Sequence, residues 1–153
     1  MKAASRYAAG TTVLVDKTIS EIRALITQRY EATNFALIEN GERFGIAFEM
    51  HNRRVRFVIP LPQKADAMIV KRGYYGKTFS QEKFDQLLRE RWRATLLVIK
   101  AKLESVESGI ESFDAAFMAQ LILPSGQTME EWASPQMETL MIDGAMPPLL
   151  PSG

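Results

Sequence analysis

The chain has 153 residues, of which 46% are hydrophobic and 24% are charged. These values are typical of one globular domain that builds its own hydrophobic core. The sequence contains no cysteine, which excludes disulfide scaffolds, thiolate metal sites and cysteine nucleophiles. Its single histidine, His51, excludes a multi-histidine metal site.

The net charge of +1 conceals a division of charge along the chain. All 19 basic residues lie between Lys2 and Lys102 beside 10 acidic residues, so this part carries a net charge of +9. Residues 103–153 contain eight acidic residues and no basic one, a net charge of −8. Such asymmetry is typical of proteins that bind nucleic acid, a membrane or an oppositely charged partner. The alternative is that the two parts fold against each other and neutralise their charges internally.

The first half of the chain predicts a helix followed by a three-stranded antiparallel meander. Thr18-Ile19-Ser20-Glu21 has the form of a capping box, and apolar residues then recur at helical spacing, which predicts a helix over about residues 19–29. Asn40-Gly41 and His51-Asn52 are two-residue turn signals between alternating runs, which predicts two consecutive hairpins.

The two predicted hairpins agree on one buried face. The first turn would pair Glu39 with Glu42 and Leu37 with Phe44, and the second would pair Glu49 with Arg54. Both registers place the same apolar set on one side of the sheet: Phe35, Leu37, Phe44, Ile46, Phe48, Val55, Phe57 and Ile59. The predicted core of the domain is Ile22, Leu25, Ile26, Leu37, Phe44, Ile46, Phe48, Phe57, Ile59, Leu88, Trp92, Ile99 and Phe117.

The second half predicts a loop and then helices. Residues 61–79 have the composition of a loop, and Thr78 or Ser80 would cap a long helix that stops at Ser108-Gly109. A further helix is expected over about residues 110–121.

A capping box at Thr128-Met129-Glu130-Glu131 predicts the last helix. It would restart at Ser134-Pro135 and end at Asp143-Gly144. We therefore expect an α+β fold in which residues 1–12 are a flexible arm, residues 13–145 a single domain and residues 146–153 an extended Pro-rich tail.

Parts of this sequence resemble two known protein families. The order helix, three strands, helix is similar to that of the double-stranded-RNA-binding domain, and Arg72-Gly73-Tyr74-Tyr75-Gly76-Lys77 loosely resembles the phosphate-binding segment of that family. The stretches FGIAFEMHNRRVRFVIPLP, RWRATLLVIKAKLESVESGIESFDAAF, LPSGQTMEEWASPQ and MPPLLP resemble a family of small proteins of unknown function from bacterial phages and prophages. That resemblance implies a mobile-element setting and no particular chemistry.

Three basic features together predict a nucleic-acid surface. The second face of the sheet has a floor of small residues with arginines around it, the predicted loop mixes cations with tyrosines, and the long helix carries a basic face. Lys and Arg neutralise backbone phosphates, and aromatic rings stack on unpaired bases. The candidate residues are Arg43, Arg54, Arg56, Lys71, Arg72, Tyr74, Tyr75, Lys77, Arg89, Arg93 and Lys100. Each feature also has an ordinary structural interpretation, as a packed face, a mobile loop and a solvated helix surface.

An alternative assigns function to the acidic part. Its candidate residues are Glu104, Glu107, Glu111 and Asp114, which would bind a protein partner. In that case the protein would inhibit a host defence nuclease by presenting negative charge in place of nucleic acid. Opposite charges on the two parts also allow head-to-tail pairing in a homo-oligomer.

Enzymatic activity is not expected. His51 lies at a predicted hairpin tip, where a general base rarely finds a pocket and an orienting partner, and neither a nucleophile elbow nor a phosphate-binding glycine loop is present. We expect no cofactor and no metal, no membrane contact, and a cytoplasmic location in a bacterial host cell.

Overall fold

The sheet and the long helix form the centre of the fold. In the computed structural model, residues 15–41, 43–144 and 146–150 are described, so the predicted arm over residues 1–12 lies outside the described part. The elements are α1 (15–24, continued by a π-helical turn at Leu25–Arg29), β1 (Thr33–Glu39), β2 (Arg43–Met50), β3 (Arg53–Pro60), a 3₁₀ turn (Lys64–Ala67), β4 (Met68–Val70), β5 (Lys77–Phe79), α2 (Gln81–Glu107), α3 (Phe113–Phe117), a 3₁₀ turn (Met118–Gln120) and α4 (Met129–Ile142). The predicted α+β class is confirmed.

The first helix begins earlier than its capping box predicted. Residue 15 is already helical, so Thr18 lies within α1 and does not cap it. The reason is packing: Val15 is almost fully buried and extends the apolar stripe of Ile19 and Ile22 by one turn toward the N-terminus. The predicted end at Arg29 is confirmed, although the last turn is π-helical.

The meander has the predicted topology, and one of its two registers was wrong. β2 and β3 pair as predicted, with Glu49 opposite Arg54. β1 and β2 are shifted by two residues, so that Leu37 lies opposite Ile46 and the N–H of Asn40 donates to the carbonyl of Arg43 over 3.1 Å. Because side chains alternate with a period of two, this shift leaves the buried face unchanged.

The core lies between the sheet and α2. Trp92, Phe44, Phe48 and Phe117 are its largest fully buried side chains, and the rings of Phe44 and Trp92 meet edge to face with centroids 5.3 Å apart. All thirteen predicted core residues are buried or packed partly buried against this cluster, so the predicted core is confirmed.

The segment predicted as a loop over residues 61–79 contains a second small sheet. β4 and β5 pair antiparallel, with Met68 opposite Phe79 and Val70 opposite Lys77. Gly73 and Gly76 adopt positive φ angles of 88° and 89° in the connection, a conformation that glycine reaches without strain. The loop prediction was therefore wrong for the 3₁₀ turn and the two strands, whereas residues 61–63 and 71–76 lack regular secondary structure as predicted.

The long helix α2 has its predicted limits. The hydroxyl of Ser80 accepts a hydrogen bond from the N–H of Lys83 at its start, and Ser108 and Gly109 close its C-terminal end.

The following helix is shorter than predicted. Residues 110–121 yield only α3 and a 3₁₀ turn, because the chain then leaves to pair with the edge of β3. The N–H of Ile122 donates to the carbonyl of Arg54 over 2.8 Å. This extra bridge places the acidic part beside the sheet.

The last helix is capped as predicted but does not restart at its proline. Thr128 and Glu131 form the reciprocal capping box, and Asp143 is the C-cap. The helix runs unbroken through Pro135, which removes the N–H that would bond to the carbonyl of Glu131. Residues 146–150 follow without regular secondary structure, and Leu149 and Leu150 are exposed. The last three residues of the predicted tail lie outside the described part.

Candidate nucleic-acid interface

We define the open face as the side of the three-stranded sheet turned away from the core. The three arginines on this face differ in their hydrogen bonds and ion pairs. Arg54 donates to Glu49 over 2.7 Å, as predicted from the register, and Arg56 donates to the carbonyl of Gly126 over 3.0 Å and lies 3.3 Å from Glu131. Arg43 is exposed and forms no ion pair with any residue that the structure describes. Two of the three predicted phosphate-binding arginines here are therefore already partnered.

The carboxylate of Glu49 is stabilised in its charged form. Asn34 donates to it over 2.7 Å, and this bond, together with the bond from Arg54, lowers the pKa of Glu49. A lowered pKa in the folded state stabilises the fold above the unfolded value, near 4.5. That contribution is lost as the pH falls through the folded value.

We expect the substitution Asn34→Ala to raise the pKa of Glu49. The amide of Asn34 is the largest contributor to the lowered pKa, so its loss leaves Arg54 as the main donor. A pH titration of the Glu49 carboxyl carbon by NMR measures this change directly. An unchanged midpoint would show that the Asn34 contact does not act on the carboxylate in solution.

Ion pairs connect the basic and acidic parts of the chain. Asp114 accepts both the Nε and an Nη hydrogen bond of Arg53 at 3.1 Å. Glu107 accepts from the hydroxyl of Tyr30 over 2.7 Å and lies 3.4 Å from Arg29, and its hydrogen bond raises the pKa of Tyr30. The division of charge along the sequence is thus partly neutralised within the molecule.

The four carboxylates of the alternative site do not form one surface stripe. Glu104 and Glu107 lie on α2, which ends before Glu111, and Glu111 accepts from Ser105 over 2.7 Å. Only Glu104 among the four lacks a side-chain partner within the described residues. The same part of the chain holds no group of three or more His, Asp or Glu side chains placed to bind a metal ion.

The basic residues of α2 remain accessible. Arg89, Arg93 and Lys100 are exposed on neighbouring positions of the helix surface. Arg93 lies 4.0 Å from Glu21, a contact at the outer limit for an ion pair, and no ion pair of Arg89 or Lys100 occurs in the described ranges. These side chains can supply further contacts to a polyanion.

The tip of the β4–β5 hairpin, defined as residues 71–77, contains the remaining candidate residues. Lys71, Arg72 and Lys77 are exposed there, and no acidic residue occurs in the sequence between Asp66 and Glu82. None of the three forms an ion pair with the part of the chain that the structure describes. The tip is therefore a local concentration of unneutralised positive charge.

Both tyrosines of the tip are presented to solvent. Tyr75 is fully exposed and Tyr74 is 68% exposed, while Nζ of Lys71 lies 5.7 Å from the centroid of the Tyr74 ring. Neither ring folds onto the core. An exposed ring beside cations can stack on an unpaired base while the cations contact its backbone.

The base of the hairpin is held firmly by α2. Ala67 is fully buried, and the N–H of Ser80 donates to its carbonyl over 2.9 Å. Arg91 donates to the carbonyl of Pro60 over 2.6 Å and lies 3.7 Å from Asp66. These contacts attach the base of the hairpin to α2 and to the end of β3, although the sequence signal for its two short strands is weak.

His51 is a turn residue in this structure. It adopts a positive φ of 52° at the β2–β3 turn, and its ring centroid lies 4.9 Å from that of Phe113. Histidine tolerates this conformation better than bulkier or β-branched residues.

Comparison with known proteins gives no match to a family model, a curated protein or a solved structure. The functional proposal below therefore depends on the geometry and charge of this chain. Among the described helices, none has the length and apolar character needed to cross a membrane.

Proposed function

We propose that this protein binds single-stranded nucleic acid through the β4–β5 hairpin tip, as a non-enzymatic accessory protein of a phage or prophage in a bacterial cell. The observation that carries the proposal is the tip itself: Lys71, Arg72 and Lys77 lack acidic partners within the described residues and flank two exposed tyrosines. The phage setting depends on the sequence resemblance alone.

The electrostatic part of binding comes from the three tip cations. Each cation that neutralises a phosphate releases condensed counterions from the nucleic acid, so binding becomes weaker as the salt concentration rises. For single strands, each such contact lowers the logarithm of the affinity by about 0.7 for every tenfold increase in salt. Three such contacts give a slope of about −2. The exposed basic residues of α2 and Arg43 extend the surface and would make the slope steeper.

The aromatic part of binding favours single strands over duplexes. In a duplex the bases are stacked on each other, so Tyr74 and Tyr75 could reach only the backbone. In a single strand a base can leave its neighbours and stack on a ring, which contributes about 1–3 kcal/mol per base. Stacking on a ring and contacts to the backbone tolerate any base, so little sequence preference is expected.

We expect the protein to bind single-stranded DNA or RNA more tightly than duplex DNA, and Tyr75→Ala to weaken single-strand binding by about 5-fold or more, from the lower limit of the stacking contribution. Fluorescence anisotropy with the three labelled polymers measures both effects. Val70→Ala, which removes an exposed apolar side chain from the same hairpin, is the matched control. Failure to bind any of the three polymers at low salt would overturn the proposed function.

A further inference from the structure

The apolar face of α4 continues beyond the point where the rest of the molecule covers it. Met129 and Ala133 are partly buried in the first turns. Met137 and Leu140 follow on the same side of the helix, at the spacing of four and then three residues, and are exposed, with Leu140 at 74%. Met141 borders this stripe and is equally exposed. Within the described residues, nothing covers this half of α4.

The charge of α4 restricts what can cover that face. The helix and its C-cap carry Glu130, Glu131, Glu138 and Asp143, and the sequence has no Lys or Arg after Lys102. Packing α4 against the α4 of another copy would bring like charges together. The complementary surface must therefore be apolar at its centre and basic at its rim.

The open face of the sheet has this character. Ile38 and Val58 are 45% and 42% exposed there, although both are large apolar residues. Between them lies Gly45, where an added Cβ would come within 3.3 Å of the Ile38 Cβ, and Ala36 and Ala47 complete a floor that lets a helix approach closely.

Arginines border this floor. Arg43 has no ion-pair partner within the described ranges, and Arg54 keeps a 74% exposed side chain despite its bond to Glu49.

The molecule's own α4 begins beside the open face but leaves it. A cleft of about 450 Å³ separates them, lined by Arg43, Arg56 and Val58 on the sheet and by Glu130, Glu131 and Ser134 on the helix. The contact of Arg56 with Glu131 shows that this pairing of charges already occurs at the helix start. The exposed C-terminal half of α4 and the open face are therefore two complementary surfaces on one chain.

We propose that the apolar half of α4 packs across the open face of a second copy of this chain, in a reciprocal twofold dimer. In this arrangement Leu140 lies against Val58 and Ile38 of the other copy, and Glu138 pairs with its Arg43. A reciprocal contact uses both surfaces twice, and closed twofold dimers are the commonest oligomers. This proposal does not involve the hairpin tip and shares only Arg43 with the proposed nucleic-acid surface.

The test measures the mass of the nucleic-acid-free protein by analytical ultracentrifugation over a range of concentrations. The intact chain should form a concentration-dependent dimer, and Leu140→Glu and Val58→Glu should each lower its association constant by about 10-fold or more, the effect of losing a central interface residue. An equimolar mixture of the two variants should recover a heterodimer, because one of its two contacts is intact. Leu97→Glu, on an exposed position of α2, is the control that should leave the dimer unchanged.

Charge exchange provides a second arm that does not depend on apolar packing. Arg43→Glu and Glu138→Lys should each weaken the dimer, and the double variant should restore it, with circular dichroism confirming that every variant is folded. A monomer at all concentrations would overturn the proposal. The exposed apolar face of α4 would then be assigned to binding a different protein. A dimer that Leu140→Glu breaks but Val58→Glu does not would also overturn it, because that result indicates contact between two α4 helices.

Discussion

Trp92→Ala is expected to lower the free energy of unfolding by about 3–5 kcal/mol, the range for removing a large aromatic side chain from a core. Trp92 is fully buried in the middle of α2 and packs edge to face on Phe44 of the sheet. Its removal leaves a cavity at the junction of the two layers, which the surrounding strands cannot close. Urea unfolding followed by circular dichroism measures the change.

Two further substitutions make this result specific. Leu97 lies on the same helix at an exposed position. The substitution Leu97→Ala should therefore change the free energy of unfolding by about 0.5 kcal/mol or less. Trp92→Phe should cost less than Trp92→Ala, because phenylalanine keeps an aromatic ring in the core and leaves a smaller cavity. Both variants remove the buried indole N–H, which has no hydrogen-bond partner among the described residues. Equal effects of Trp92→Ala and Leu97→Ala would contradict the placement of the core.

Arg72→Glu should weaken binding to a single-stranded oligonucleotide by about 5-fold or more at 0.1 M salt, the loss expected from one phosphate contact with a slope of 0.7. Arg72 has no ion-pair partner in the described part of the chain, so its full charge is available to a phosphate. Reversal also adds repulsion, which makes the loss larger. Anisotropy titrations at one salt concentration measure it.

Arg54→Glu is the matched comparison, because it changes the net charge by the same amount. Arg54 already bonds to Glu49 over 2.7 Å, so its contribution to phosphate binding is smaller. A smaller loss for Arg54→Glu than for Arg72→Glu supports the hairpin tip as the principal contact. The reverse order would assign binding to the open face of the sheet.

The buried face of the sheet could be predicted because two turns constrained the same alternating pattern. The turn at His51-Asn52 was located correctly, and the β2–β3 register follows from it. The reversal after β1 falls one residue later than Asn40-Gly41 suggested, since Asn40 itself pairs with Arg43. The shift moves the register by two residues, and the alternation then preserves which side chains face the core.

The β4–β5 hairpin was not predictable in the same way. Each strand has three residues, too few for alternation to be distinguished from loop composition. Its stability comes from contacts that the sequence pattern does not show, such as the burial of Ala67 and the bonds of Arg91. The residues of the tip were nevertheless recognisable from their composition, because cations and tyrosines alternate there with glycine.

Ion pairs between distant parts of the chain also escaped prediction. Arg53 and Asp114 are 61 residues apart in sequence and meet because α3 packs beside the β2–β3 turn. Counting charges along the sequence assigns Arg53 to the basic part of the chain and Asp114 to the acidic part. Only the fold shows that they neutralise each other, while the charges of the hairpin tip do not find acidic partners among the described residues.

The salt dependence of single-strand binding tests the central claim most directly. Affinity for one labelled oligonucleotide would be measured over a salt series for the intact chain and for a variant carrying Lys71→Gln, Arg72→Gln and Lys77→Gln. We expect the slope of log affinity against log salt to become shallower by about 2 in the variant, the contribution of three phosphate contacts. Equal slopes for the two proteins would contradict the assignment of phosphate binding to the hairpin tip.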